Sequence, residues 1–160
     1  MSDSFKGNEE RLTDQSYWEG QYGRETAEAA HPSTRTAALL TQLFGNRAQA
    51  YTEAWHRHLL WHHVLRGALP ISTTHRVVEI GSAPGFNLVK FRQLQGYEPF
   101  GIEYTEHGAS LNRRVFADHG ISSSNVLHAD FFDDAFRATL ARRFDVVSSF
   151  GFLEHFSDPQ

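Results

Sequence analysis

Between residues 33 and 66 the apolar positions recur at helical spacing. Ser33 is placed to cap a helix carrying Leu39, Leu40 and Leu43 that stops at Gly45. Asn46 is placed to cap a longer helix over 47–66, with Ala54, Trp55, Leu59 and Val64 to Leu65 on its apolar side, ending at Gly67 with Pro70 beyond. From Arg76 the period changes: Val77, Val78 and Ile80 form the compact run of a strand buried on both faces of a parallel sheet. The pattern then alternates. A helix over 86–95 stops at Gly96, a strand runs from Phe100 to Tyr104, and a helix over 107–118 closes at Gly120. A third strand follows from Asn125 to Ala129, a short helix from Asp134 to Ala141, and a fourth strand from Phe144 to Phe150 with Val146 and Val147 central. Strands and helices alternating at this spacing predict βαβ units with right-handed crossovers, hence an α/β fold built on a doubly wound parallel sheet. Residues 1–16 are polar and aperiodic and read as a flexible lead-in. Residues 17–70, with the aromatic cluster Tyr17, Trp18 and Tyr22, form an N-terminal segment, and 71–160 the sheet domain.

Composition narrows the function class. A chain of 160 residues with 40% hydrophobic and 21% charged residues suits one globular domain, neither disordered nor fibrous. The net charge of −4 and the scattered basic residues leave no surface that would track phosphates, so no nucleic-acid partner is expected. No apolar run is long enough to span a bilayer, and the polar start MSDSFKGNEER is unlike a signal peptide. No membrane partner and a cytoplasmic location follow as expectations. With no cysteine there is no disulfide and no thiolate chemistry. Of the ten histidines, His56, His58, His62 and His63 share one helix. His58 and His62 have the i, i+4 spacing of a zinc pair, but Leu59 stands where HExxH requires glutamate, so no metal site is expected.

In open parallel sheets ligands bind beyond the carboxyl ends of the strands, and polar residues collect there. Strand one exits through Glu79, Ile80, Gly81, Ser82, Ala83, Pro84, Gly85 and Phe86. Small residues let backbone approach a ligand, which fits any nucleotide-like molecule. The spacing discriminates further. GxGxxG would place a third glycine where Phe86 stands, and Pro84 lacks an N–H that a pyrophosphate would use. A diphosphate cofactor, as in a nicotinamide-dependent oxidoreductase, is disfavoured. Glu103, closing strand two 18 residues after Gly85, can accept both hydrogen bonds of a free ribose diol, or it can be an ordinary solvated strand-end acid. Asp130 after strand three can accept from an adenine amino group, or it can belong with Asp133 and Asp134 to the cap of the next helix.

The stretch VVEIGSAPGFN resembles the first motif of the class I (Rossmann-like) S-adenosylmethionine-dependent methyltransferases, and FDVVSSFGFLEHFSDP resembles their fourth, with Leu153, Glu154 and His155. The matches run from 77 to 159, whereas residues 1–76 match only loosely. The resemblance implies the cofactor S-adenosylmethionine. It would be held by Glu79, Gly81, Ser82, Ala83 and Gly85, by Glu103 on the ribose, by Tyr104, Asp130 and Phe131 around the adenine, and by Ser149 on strand four. The Asp/Asn-Pro-Pro-aromatic signature of enzymes that methylate an exocyclic base amine is missing, so the implied acceptor is a small or sugar-containing molecule.

Transfer of a sulfonium methyl needs positioning more than covalent help. For an acceptor hydroxyl or acidic carbon, His155 is the candidate base, or it packs at the strand exit. The family's sheet order, 3-2-1-4-5-7-6, continues beyond a fourth strand. The chain is therefore expected to carry the cofactor-binding half, truncated after strand four, and to self-associate through that exposed edge. A non-catalytic binding module of the same fold is the alternative.

Overall fold

In the computed structural model, residues 15–17 and 45–152 are described. The helix expected after Ser33, the residues Trp18 and Tyr22, and the segment Leu153, Glu154 and His155 lie outside the described residues. The described chain falls in two units divided at Pro70 and Ile71, each treated by itself.

In the first, a helix (α1) is α-helical over Asn46–Leu59, π-helical over Leu60–Leu65 and α-helical again over Arg66–Ala68. Its flanking residue is Gly45 at φ 61°, so Asn46 is the first helical residue and not the cap. The helix also runs through Gly67 and ends where Leu69, preceding Pro70, takes the extended conformation that proline imposes on its neighbour. Trp61 is buried and Trp55 exposed. His58 and His62 stack ring on ring at 4.5 Å, with Trp55 stacked at 6.0 Å on His58. Among the described residues no cluster of histidine and acidic side chains is arranged to hold a metal, and no helix is long and apolar enough to cross a membrane.

The second unit is a four-stranded, wholly parallel sheet. Its strands are β1 (Arg76–Ile80), β2 (Glu98–Glu103), β3 (Val126–His128) and β4 (Val146–Ser149), in the order β3-β2-β1-β4. Ile80 is in register with Ile102 on one side and Ser149 on the other, and Glu103 with His128. The connecting helices are α2 (Phe86–Gln95), α3 (Glu106–Asp118) and α4 (Asp134–Leu140). The order and the crossovers match the first four strands of the Rossmann-like scheme. Strand three is shorter than expected because Ser123–Asn125 forms a 3-10 turn, pinned by Asn125 Nδ2 donating to the Pro99 carbonyl at 3.0 Å.

Side chains alternate across the strands, so the helices divide between the two faces. Val78, Phe100 and Ile102 meet Phe136 and Leu140 of α4, with Leu127, Phe131 and Phe144 around them. Gly101, on the opposite face, lies against Asn112 of α3. Leu88, Val89 and Phe91 of α2 and Ala109 and Phe116 of α3 complete that side of the core. At roughly 1.5–3 kcal/mol per buried large apolar side chain, these contacts supply most of the driving force. β4 pairs with β1 alone among the described strands, and Val147 on it is 64% exposed.

Candidate functional site

The carboxyl ends of β1, β2 and β3 lie side by side, and their exits hold most of the residues singled out in the sequence. The turn after β1 is tied to β2: Gly81 and Ser82 both donate their N–H to the Ile102 carbonyl, at 3.0 and 3.2 Å. The Ala83 N–H goes to Glu103 Oε2 at 3.2 Å. Pro84 has no N–H, so the first four residues of the turn offer no free amide to an anion. The turn itself therefore adds no donor to those at the start of α2.

Glu103 is buried, and its other oxygen accepts from the Thr105 N–H at 3.1 Å and the Thr105 hydroxyl at 2.9 Å. Thr105 caps α3 by accepting from the Gly108 N–H at 3.1 Å. One carboxylate thus joins the glycine turn, the tip of β2 and the start of α3. A carboxylate has about four acceptor positions. Three are used, leaving room on Oε2 for one ribose hydroxyl, where the sequence argument expects two.

Glu79 lies one residue before the end of β1 and is 2% exposed. Asn87, in the first turn of α2, donates to its Oε1 at 3.0 Å, and Oε2 has no partner among the described residues. Burial therefore pushes the Glu79 carboxyl up to about 7, with the Asn87 hydrogen bond pulling the other way. Ser149, ending β4, has a buried hydroxyl without a partner among the described residues.

The remaining expected residues divide by orientation. The Ser82 hydroxyl faces inward, accepting from Asn112 Nδ2 at 2.7 Å, so of the turn's side chains it braces the underside. Gly85 sits at φ 101°, and a Cβ there would lie 2.9 Å from Asn112 Cγ and collide with its Oδ1. Gly81, at φ 70°, is covered on its outer side by Phe152, which a Cβ would meet at 3.2 Å. The Tyr104 carbonyl accepts from His128 Nε2 at 3.2 Å, while His128 Nδ1 is 2.9 Å from Glu106 Oε2. Asp130 accepts from the Phe132 N–H at 2.9 Å, stiffening the exit of β3, while Asp133 is the residue that caps α4. Phe131 packs against the Val78, Phe100 and Ile102 cluster. Phe132 and Phe152 stack at 6.0 Å, with Phe131 edge-on to Phe152.

Asn87, Thr105, Asn112 and Phe152 were not singled out from the sequence. Asn112 carries a legible signal. It falls with Gly108, Ala109 and Phe116 on the buried stripe of α3, where a polar residue must serve a partner. Thr105 carries another, as a cap residue directly before the helix.

Residues 22–160 match the model of a family described as a methyltransferase domain. No curated protein matches. Solved structures similar to the chain include geranyl diphosphate C-methyltransferase from Streptomyces coelicolor, in complex with Mg2+, geranyl diphosphate and S-adenosyl-L-homocysteine. It has TM-score 0.47 and 13% identity, over 72% of this chain and 45% of that one. The YcgJ protein from Bacillus subtilis has TM-score 0.43 and 20% identity over 59% and 39%, and an RNA methyltransferase from Salinibacter ruber in complex with S-adenosyl-L-homocysteine has 0.41 and 14% over 79% and 63%. The chain thus spans 39 to 63% of the length of these structures. With the family model covering most of its length, and a glycine turn, strand-end acid and strand order to match, this chain belongs to the class I S-adenosylmethionine-dependent methyltransferases.

Proposed function

We propose that this chain binds S-adenosylmethionine across the tips of β1, β2 and β3 and serves methyl transfer to a small-molecule or sugar-containing acceptor. The observation that carries this reading is the bond from the Ala83 N–H to Glu103, which holds a carboxylate beside the glycine turn, where the amides of Gly81 and Ser82 go to the Ile102 carbonyl. Such a site suits adenosine without phosphate. Glu103 would hold the ribose, with Tyr104, Asp130 and Phe131 toward the purine end. The partnerless oxygen of Glu79 and hydroxyl of Ser149 supply buried polar groups for the amino-acid end. When bound, the cofactor supplies an electrophilic methyl on a sulfonium.

The residues' own contribution is orientation and exclusion of water, which is most of what an in-line displacement needs. His155 is the base for an acceptor that must lose a proton. The absence of the base-amine signature and the net charge of −4 favour a metabolite over a nucleic acid.

Isothermal titration of the chain with S-adenosylhomocysteine tests the binding. Wild type binds, and Glu103→Ala weakens binding about 10- to 100-fold, the worth of a hydrogen bond to a charged group, with folding checked by circular dichroism. No binding by folded wild type, or binding of NADH instead, overturns the reading. In turnover, His155→Asn lowers kcat and leaves cofactor affinity unchanged.

A further inference from the structure

α3 forms the floor of the glycine turn. Gly108, Asn112 and Phe116 follow one another at i, i+4 and i+8, so they share one face of the helix, and each meets the turn. A Cβ on Gly108 would stand 3.0 Å from the Ala83 Cβ and 2.9 Å from the Glu103 Cδ, and a Cβ on Gly85 would stand 3.4 Å from the Phe116 ring. Between them lies Asn112, fully buried, which donates from Nδ2 to the Ser82 hydroxyl at 2.7 Å. Ser82 is buried as well, and its own N–H goes to the Ile102 carbonyl of β2.

Two glycines make room for this bond. On β2, a Cβ at Gly101 would stand 2.6 Å from Asn112 Nδ2 and run into the Ser82 hydroxyl. In the turn, a Cβ at Gly85 would run into Asn112 Oδ1. Glycine carries only a hydrogen in that direction, so Oδ1 faces a Cα–H of Gly85. It has no hydrogen-bond partner among the described residues. A buried amide with its oxygen unmet lowers stability, and an apolar side chain of like size would fill the same place without that cost. Packing therefore gives no reason for asparagine here. The amide does what leucine could not: Nδ2 holds Ser82 down toward α3, while Oδ1 abuts Gly85, the residue that leads into α2.

Resting on the cofactor reading proposed above, we infer that Asn112 is a positioning residue of the site. Acting through Ser82 and Gly85, it fixes the glycine turn from beneath and so sets the affinity for the adenosyl ligand. A side chain with no exposed surface offers nothing to a ligand directly, so its influence passes through the turn alone.

Amide hydrogen exchange, and titration calorimetry with S-adenosylhomocysteine, test this on Asn112→Leu, Ser82→Ala and the double variant. Asn112→Leu keeps the bulk and removes the bond. The amides of Ser82 and Ala83 then exchange about 3- to 10-fold faster, the worth of one hydrogen bond, and Kd rises by a similar factor. The amides of Val77 and Val78 in β1 stay within about twofold of wild type, which a general loss of stability would not allow. Ser82→Ala reproduces both effects, and it carries both readouts alone should Asn112→Leu not fold. The double variant is no worse than either single one, because the two substitutions remove the same bond. Turn amides and Kd both within about twofold of wild type overturn the inference, as do single effects that multiply in the double variant or a loosening shared equally by β1. Wild type that binds no S-adenosylhomocysteine while its turn amides still respond to the substitutions overturns the cofactor reading and upholds the bracing of the turn.

Discussion

Glu79→Gln isolates the cost of a buried charge beneath the glycine turn. The side chain is 2% exposed, with one hydrogen-bond donor, Asn87, and one oxygen without a partner among the described residues. In register beside it are Gly101 on β2 and Ser148 on β4, neither charged. Burial raises the carboxyl from 4.5 to about 7 in the folded chain. For an acid whose folded pKa is raised, the native state binds more protons than the unfolded state between the two values, so stability falls as pH rises through that window. The loss is nearly absent below about 4.5 and complete above about 7. At 1.36 kcal/mol per unit, linkage gives a penalty of about 1 kcal/mol at pH 5 and about 3 kcal/mol at pH 8. The amide keeps the shape and carries no charge. Urea denaturation of wild type and Glu79→Gln at both pH values measures the difference, and titrations common to the two proteins cancel. The variant should be more stable at pH 8, by about 2 kcal/mol more than at pH 5. A pH-independent gap, or a variant less stable at pH 8, would show that the folded chain holds Glu79 ionised by a charge partner.

Two further substitutions test the packing around the site. Gly85→Ala forces a side chain into a left-handed conformation and against Asn112, and should cost about 2–4 kcal/mol in chemical denaturation; a loss below about 0.5 kcal/mol would mean that α3 yields easily. Gln95, at the end of α2, is 1% exposed with neither amide atom partnered among the described residues, so Gln95→Met should stabilise the chain by about 1–3 kcal/mol, read as a raised denaturation midpoint. A lowered midpoint would reveal a hydrogen bond formed by that amide.

The sheet was legible because its strands carry their signal locally. Val77, Val78 and Ile80 are a buried run whichever partners they meet, and the left-handed glycines Gly96 and Gly120 punctuate the helices on sterics alone. Glu79, Gly81 and Glu103 were singled out because strand ends in a parallel sheet are where ligands bind, and they lie at the ends of β1 and β2. What stayed hidden depends on contacts distant in sequence. Nothing local says that Ser82 turns inward, because its partner Asn112 is 30 residues away. Nor does anything local say that Glu103 accepts from the Ala83 N–H, 20 residues away. The boundary error at α1 has a local origin instead. Asn46 was expected to cap α1 by its side chain, but Gly45 adopts a backbone conformation that makes it the flanking residue.

The turn after β1 keeps its amides for itself, two on the Ile102 carbonyl and one on Glu103. ATP, ADP and AMP share purine and sugar with the methyl donor and are far more abundant in a living cell. Against this turn they would bring phosphate charge to a carboxylate and find the amides of Gly81, Ser82 and Ala83 already engaged. If the methyl donor sits here as proposed, the first three amides of the turn give no advantage to the phosphates that set those commoner nucleotides apart.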